Sequence, residues 1–167
     1  MKLSTRARYA LRMMVAIARQ SSGNEAVSLS DVAEKTCISR RYLEQLAIAL
    51  KSASLVRGIA GKGGGYLLTQ PAVKITLGQI VEAAIGPINV VECVLNPETC
   101  LESEFCECRW VYQTINERII GVLQELSLDD LVARPLPEYL CEDLTSEISG
   151  CSTKKRQPVQ VFKEDQQ

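Results

Sequence analysis

Apolar residues recur at three- and four-residue spacing along the first third of the 167-residue chain, which is the pattern of amphipathic helices. The spacing predicts helices over 5–20, 29–35 and about 40–52. Ser28 and Ser39 precede the second and third of these helices, where a hydroxyl often caps free backbone N–H groups. The second and third helices, joined by a short turn, form a helix-turn-helix pattern.

A glycine-rich segment follows the third predicted helix. Two strand-like runs, 55–57 and 66–68, flank the segment 58–65, which contains five glycines and Lys62. Glycine lets a backbone approach phosphates closely and adopt positive φ, so a basic hairpin here is typical of the wing in a winged helix-turn-helix protein. The phosphate loop of a nucleotide-binding protein would need serine or threonine directly after the lysine, and Lys62 precedes further glycine instead.

The middle of the chain predicts two more helices. A helix over 76–85 has Thr76 and Gln79 at the spacing of a capping box. A longer helix over about 110–126 has an apolar surface wide enough for a core or for a subunit interface. That surface comprises Trp110, Val111, Ile115, Ile119, Ile120, Val122, Leu123 and Leu126.

We therefore predict a mainly α fold with a small β-hairpin wing, in which three regions follow one another. Residues 1–75 form a winged helix-turn-helix DNA-binding domain. Residues 76–133 contain a cysteine loop and a long dimerisation helix. Residues 134–167 form a mostly flexible C-terminal tail, which is polar after Leu144.

Charge is distributed unevenly along the chain. The net charge of −1 by itself argues against a nucleic-acid partner. Residues 1–62, however, carry a net +7 and residues 63–167 a net −8, as expected when the first half contacts DNA. The chain is 46% apolar, which suffices for a core, but no apolar run is long enough to cross a bilayer. We expect a cytoplasmic protein with double-stranded DNA as its partner, and neither a membrane nor a small-molecule substrate.

The outward-facing side chains of the third helix predict base contacts in the major groove. Arg40 and Arg41 suit guanine or phosphate, and Gln45 suits adenine. Glu44 only accepts hydrogen bonds, so it favours the amino group of cytosine; the alternative is an exposed glutamate that contacts nothing. The predicted DNA-binding residues are Arg8, Ser39, Arg40, Arg41, Glu44, Gln45, Arg57 and Lys62.

Cysteines cluster just before the last long helix, in a chain that contains no histidine. The cluster comprises Cys93, Cys100, Cys106 and Cys108. Such a set of thiolates favours an iron–sulfur cluster over an all-cysteine zinc site, and the alternative without metal is a group of thiols that merely oxidise. Cys37, in the helix-turn-helix turn, suits a buried core position. Cys141 and Cys151 lie in or near the tail and have no predicted site.

Several motifs together resemble one family. They are Met1-Lys2-Leu3-Ser4, Arg8-Tyr9-Ala10, Ile38-Ser39, Tyr42-Leu43-Glu44-Gln45-Leu46, Gly63-Gly64-Gly65-Tyr66-Leu67-Leu68 and the trio Cys93, Cys100 and Cys106. Over about residues 1–133 the chain resembles the IscR-type regulators of iron–sulfur cluster assembly, within the Rrf-two superfamily of dimeric winged-helix repressors.

The resemblance implies a homodimer built on the long helix and a cluster held by the three cysteines. That cluster is usually two-iron two-sulfur in this branch, and four-iron four-sulfur in nitric-oxide-sensing relatives. Cluster occupancy then selects DNA sites, so that a rising cluster supply represses the assembly genes.

The chain departs from the family pattern at the fourth ligand. Arg109 stands where the best-known branch has a ligating histidine, and Arg8 where nitric-oxide-sensing relatives have an aspartate. The wing arginine of the best-known branch is replaced by Ala60, and the first cysteine spacing is one residue longer. Cys108 is the nearest remaining soft donor. The alternatives are Glu104, Glu107, a residue of the partner subunit, or solvent.

The sequence therefore predicts a sequence-specific transcription regulator, a repressor of iron–sulfur cluster biogenesis genes that senses cluster supply. Two alternatives stay open: a relative that senses nitric oxide, oxidant or iron with the same loop, and a cluster-free DNA-binding regulator. No enzyme is expected, because no nucleophile–base pair and no histidine supports catalysis.

Overall fold

Seven helices and one hairpin make up the part of the chain that the computed structural model describes, residues 3–21, 25–100 and 105–134. The elements are α1 (Thr5–Gln20), α2 (Leu29–Thr36), α3 (Arg40–Ser52), β1 (Val56–Ile59), β2 (Gly65–Leu68), α4 (Leu77–Ile85), α5 (Glu92–Leu95), α6 (Glu107–Glu125) and α7 (Leu128–Val132). Single 3₁₀ turns lie at Ala72–Lys74 and Pro97–Thr99. The mainly helical fold with a small wing is confirmed. The predicted tail, except Arg134, lies outside the described residues, as do Cys141 and Cys151.

Local hydrogen bonds explain where the helices begin. The Ser28 hydroxyl accepts a bond from the Asp31 N–H at 3.1 Å, at the start of α2. Thr76 and Gln79 form the predicted capping box, with bonds of 3.0 and 3.2 Å between each backbone N–H and the other side chain. Ser39 occupies the N-cap position of α3, but its side chain makes no capping bond.

The core lies where α1 packs against α2, α3, α4 and α7. Its largest fully buried side chains are Met13, Met14, Ile17, Val32, Leu43, Leu46, Leu50, Val56, Ile75, Ile80, Val81 and Leu128. Two backbone hydrogen bonds join the start of α4 to the junction of α6 and α7. The Leu77 N–H donates to the Leu126 carbonyl at 2.9 Å, and the Leu128 N–H donates to the Ile75 carbonyl at 2.8 Å. The described residues form one compact unit that ends at Arg134.

The start of α7 carries its own capping box. The hydroxyl and the backbone N–H of Ser127 donate to the Asp130 carboxylate at 2.6 and 2.8 Å. These bonds stabilise the charged carboxylate and hold the pKa of Asp130 below its ordinary value.

Three arginines of α1 bind carbonyl groups at the ends of other helices. Arg6 donates to the carbonyl of Ala84 at 2.5 Å, near the end of α4. Arg12 donates to the carbonyl of Thr36, the last residue of α2. Arg19 donates to the carbonyl of Arg134 at 2.9 Å, just past the end of α7. Cations suit these positions because the last carbonyls of a helix lack partners and carry partial negative charge. Part of the positive charge of the first half therefore stabilises the fold.

Two predictions about the cysteine positions are wrong. Cys37 is exposed, because it ends α2 in the left-handed conformation with φ of 52°, and its neighbour Ile38 fills the core instead. The predicted cysteine loop before the long helix contains the short helix α5, and α6 begins three residues before the predicted start at 110. Its first turn is polar, so apolar periodicity does not reveal it.

Helix α6 has an apolar face that the rest of the described residues leave partly exposed. Asn116 is the one buried residue of this fully described helix. Its exposed apolar side chains, with that of Leu126 just past its end, are Trp110, Val111, Ile115, Val122 and Leu126. All of these except Trp110 fall within an arc of about 60° on the helix. Within the described residues, no helix is both long and apolar enough to cross a membrane.

Candidate nucleic-acid interface and cysteine loop

The outer face of α3 carries the side chains predicted to read DNA. Arg40, Arg41, Glu44 and Gln45 are all exposed, as is Ser39 at the N-cap. Because the leucines of α3 are buried in the core, this polar face is held outward by the packing of the helix. This face is therefore accessible to a partner such as DNA.

Arg40 and Glu44 already pair with each other. Arg40 Nε lies 3.2 Å from Glu44 Oε1, one helical turn apart, and both side chains are more than half exposed. A pair this accessible contributes little to stability and exchanges readily for other partners. Arg40 is therefore free to turn to a base or a phosphate, and Glu44 is free to turn to a base.

An aromatic contact fixes α3 against α1. The rings of Tyr9 and Tyr42 meet edge to face with centroids 5.7 Å apart, and the guanidinium of Arg12 lies 5.7 Å from the Tyr9 centroid. Arg8, next to Tyr9, is exposed and donates to the Thr5 hydroxyl at 3.0 Å. It lies on α1 and not on the outer face of α3.

Glycine shapes the wing. β1 and β2 pair antiparallel, and Val27 adds a third strand position through bonds of 2.9 and 2.8 Å with Tyr66. A Cβ on Gly65 would lie 2.2 Å from the Val27 carbonyl oxygen, so only glycine permits this pairing. Gly63 has φ of 82° in the turn, and Lys62 stands exposed beside it at the tip.

An open groove of about 580 Å³ lies between the start of α2, the outer face of α3 and the wing. Arg40, Glu44 and Lys51 line it on the helix side, and Gly58 and Tyr66 on the wing side. Sequence reasoning left Lys51 out of the DNA-binding set, although its spacing from Arg40 and Glu44 places it on the same helix face.

Arg57 does not line this groove. It lies next to Gly58 along β1, and neighbouring strand residues point to opposite faces. Arg57 instead lines a second hollow, with Glu25 and Leu67. Its predicted contact with DNA therefore stays a prediction that the groove does not support.

Arg109, in the first turn of α6, connects the cysteine loop to that helix. Arg109 Nε donates to the carbonyl of Cys93 at 3.3 Å, and the Arg109 N–H donates to the carbonyl of Cys106 at 3.1 Å. Cys93 and Cys106 are half-buried, whereas Cys100 and Cys108 are exposed. One residue thus binds the backbone of both half-buried cysteines.

Asn116 holds the start of the loop. Its buried Oδ1 accepts a bond from the Val90 N–H at 3.0 Å, two turns along α6 from Arg109. Sequence reasoning missed both contacts. The signal available in the sequence is Asn116 itself, a polar residue close to the apolar residues of α6, because a buried amide requires a hydrogen-bond partner.

Within the described residues, no three cysteine, aspartate or glutamate side chains converge as a metal-binding group. Glu104 lies outside the described residues, and Glu107 is exposed in the first turn of α6. Cys106 and Cys108 are two residues apart at the start of that helix and so do not share a face. In chemistry, thiols without imidazole fit an iron–sulfur cluster. The structure ties the backbone of Cys93 to Arg109 of α6, and Cys106 is the N-cap residue of that helix.

An exposed polar helix beside a glycine-rich hairpin, on this helical core, defines a winged helix-turn-helix DNA-binding protein. Residues 3–134 match the model of the Rrf2 family, described as an iron-dependent transcriptional regulator. The chain belongs to the Rrf2 family of transcription regulators.

Its relatives are named for more than one role. The regulator IscR of Cereibacter sphaeroides is 47% identical over 92 residues, which cover 54% of this chain and 59% of that protein. CymR of Bacillus subtilis is 36% identical over 133 residues, or 80% of this chain and 91% of that protein.

The similar solved structures also include proteins named CymR and IscR. That of the B. subtilis CymR, described as the global cysteine regulator, has a TM-score of 0.66 and 33% identity over 80% of this chain and 97% of its own. That of IscR from T. potens has a TM-score of 0.65 and 27% identity over 84% of this chain and 96% of its own.

Proposed function

We propose that this protein represses genes of iron–sulfur cluster biogenesis and senses cluster supply through Cys93, Cys100 and Cys106. α3 is the recognition helix, and the wing with Lys62 contacts the DNA backbone. The protein acts as a homodimer, so that two copies of α3 meet two half-sites about one turn of DNA apart. Similarity to proteins named IscR supports this proposal.

The observation that carries the sensing role is the pair of hydrogen bonds made by Arg109. The side-chain bond ties the carbonyl of Cys93 to α6, whose N-cap residue is Cys106, and Asn116 ties the segment before Cys93 to the same helix. A bound cluster would supply metal–thiolate bonds that offset the conformational entropy lost when the loop is ordered. Any change in the loop is therefore transmitted to α6 directly.

The uncovered stripe of α6 supports the homodimer. Val111, Ile115, Val122 and Leu126 expose between 38% and 53% of their surface, on one side of a long helix. An apolar patch of this kind favours burial against a second copy of the same helix. The cysteine loop is hydrogen-bonded to the same helix, so its state affects how far apart the two recognition helices lie.

The cluster is tested by purifying the full chain without oxygen and measuring iron, zinc and acid-labile sulfide per chain. Iron and sulfide in equal amounts are expected, about two of each for the two-iron type. Zinc without sulfide would make the loop structural and contradict the sensing role. Protein that stays metal-free after reconstitution would contradict it as well.

A second candidate is a cluster-free regulator. The similarity to CymR covers 91% of that protein, and three metal donors do not converge among the described residues. In this case DNA binding would respond to a small molecule or a partner protein, and persistent absence of metal in the same assay would favour it.

Glu44→Ala is expected to relax sequence choice without lowering nonspecific affinity. Glu44 repels phosphate and can only accept hydrogen bonds, which favours a cytosine amino group. The wild type should therefore lose about 1–3 kcal/mol of binding free energy at a mismatched base, and the variant much less. Binding titrations against matched and mismatched DNA measure this difference. Glu34→Ala, which removes an exposed glutamate from α2, is the control. Equal discrimination by wild type and Glu44→Ala would refute the prediction.

A further inference from the structure

Ile48 is an apolar side chain on the polar face of α3. It is 69% exposed. All residues of α3 are described, and every other exposed side chain on this helix is polar or charged. About two thirds of its surface is open to water, so burial of Ile48 against a partner would be favourable.

The helical geometry places Ile48 at the centre of the proposed DNA-binding face. At about 100° per residue, Ile48 lies about 170° from the middle of the buried leucines of α3. It also falls between the directions of Glu44 and Gln45, one turn further along the helix. A side chain in this position faces whatever those two residues face.

The chemistry of Ile48 restricts what it can recognise there. It has no hydrogen-bond donor or acceptor, so it cannot read the polar edges of bases or bind phosphate. The one apolar group that a base pair presents in the major groove is the C5-methyl group of thymine. A branched aliphatic side chain packs against that methyl by dispersion and by excluding water.

We propose that Ile48 is a specificity-determining residue that selects thymine in each half-site through its methyl group. The inference rests on the proposed role of α3 as recognition helix. Ile48 follows Glu44 by four residues, about 6 Å along the helix axis, whereas base pairs are about 3.4 Å apart. The selected thymine is therefore within about two base pairs of the base that Glu44 reads.

The test begins with the DNA sequence that the full-length protein enriches from a random double-stranded pool. Each thymine is then replaced in both half-sites by deoxyuridine, which lacks only the methyl group. At one thymine position, the loss of the methyl group is expected to lower wild-type affinity about fourfold per half-site, because burial of one methyl contributes about this factor. Replacement in both half-sites should therefore lower affinity about fifteenfold. Ile48→Ala should bind thymine and uracil versions equally. The substitution is compatible with folding, because the site is exposed and alanine favours helix.

Val73→Ala is the matched control, since Val73 is 64% exposed but lies outside α3; it should keep the full uracil effect. If no sequence is enriched, the proposed function fails and this inference with it. If a sequence is enriched but uracil has no effect at any position, or Ile48→Ala keeps the effect, only this inference is overturned. A change in the oligomeric state of Ile48→Ala, measured by light scattering, would assign Ile48 to a subunit contact and would also overturn it.

Discussion

Ile115→Asp is expected to convert the proposed dimer into monomers that bind operator DNA about 100- to 10,000-fold more weakly. Ile115 is 40% exposed in the middle of the uncovered stripe of α6. A carboxylate buried there against a second copy would lose its hydration without gaining a partner. A monomer then meets only one half-site, and the gain from linked binding disappears.

Light scattering gives the oligomeric state of this variant, and fluorescence anisotropy gives its affinity for an operator with two half-sites. Thr114→Asp is the matched control, because Thr114 is an exposed neighbour on the same helix outside the apolar stripe. It should remain dimeric and bind normally. A dimeric Ile115→Asp would show that α6 is not the interface, and a wild-type monomer with full affinity would refute the proposed assembly altogether.

Cys93→Ala is expected to remove bound iron and sulfide and to make DNA binding independent of cluster loading. Coupling between two sites of a protein typically changes affinity about 5- to 150-fold, and this ratio between loaded and metal-free protein should fall to one in the variant. Iron and sulfide content, visible absorption and operator affinity measure the effect. Because Cys93 is half-buried beside Arg109, circular dichroism must first show that the variant is folded.

Cys37→Ala serves as the control, since Cys37 is an exposed cysteine far along the chain from the loop. It should keep the cluster and the affinity ratio. Cys108→Ala in the same assay decides the fourth ligand: unchanged iron content and an unchanged spectrum would exclude Cys108 in favour of another donor. Full cluster content in Cys93→Ala would contradict the proposed ligand set.

Much of the fold follows from local features of the sequence. The bounds of α1 are those predicted, and the starts of α2 and α4 follow from Ser28 and from the Thr76–Gln79 capping box. The wing is recognisable because its turn needs glycine at positions of positive φ, such as Gly61 and Gly63. Each of these features depends on residues near one another in the chain, on which periodicity and capping report directly.

Other features required the three-dimensional arrangement. Counting charges treats every arginine of the first half as available to contact DNA. In the structure, however, Arg6, Arg12 and Arg19 bind the ends of other helices. The exposure of Cys37 depends on the left-handed turn that ends α2. The apolar stripe of α6 could equally have been core, and only the packing shows which of its residues remain uncovered.

By itself, then, the sequence determined the helix-turn-helix, the wing, the outward polar face of α3 and the presence of a thiol-rich loop without histidine. The tertiary structure decided that Arg109 and Asn116 bind this loop to α6, that Lys51 shares a groove with Arg40 and Glu44, and that Ile48 faces outward beside them. The physical reason is the range of the interactions. Propensity, capping and periodicity act within a few residues, whereas burial and the partner of each hydrogen-bonding group depend on segments that only the folded chain brings together.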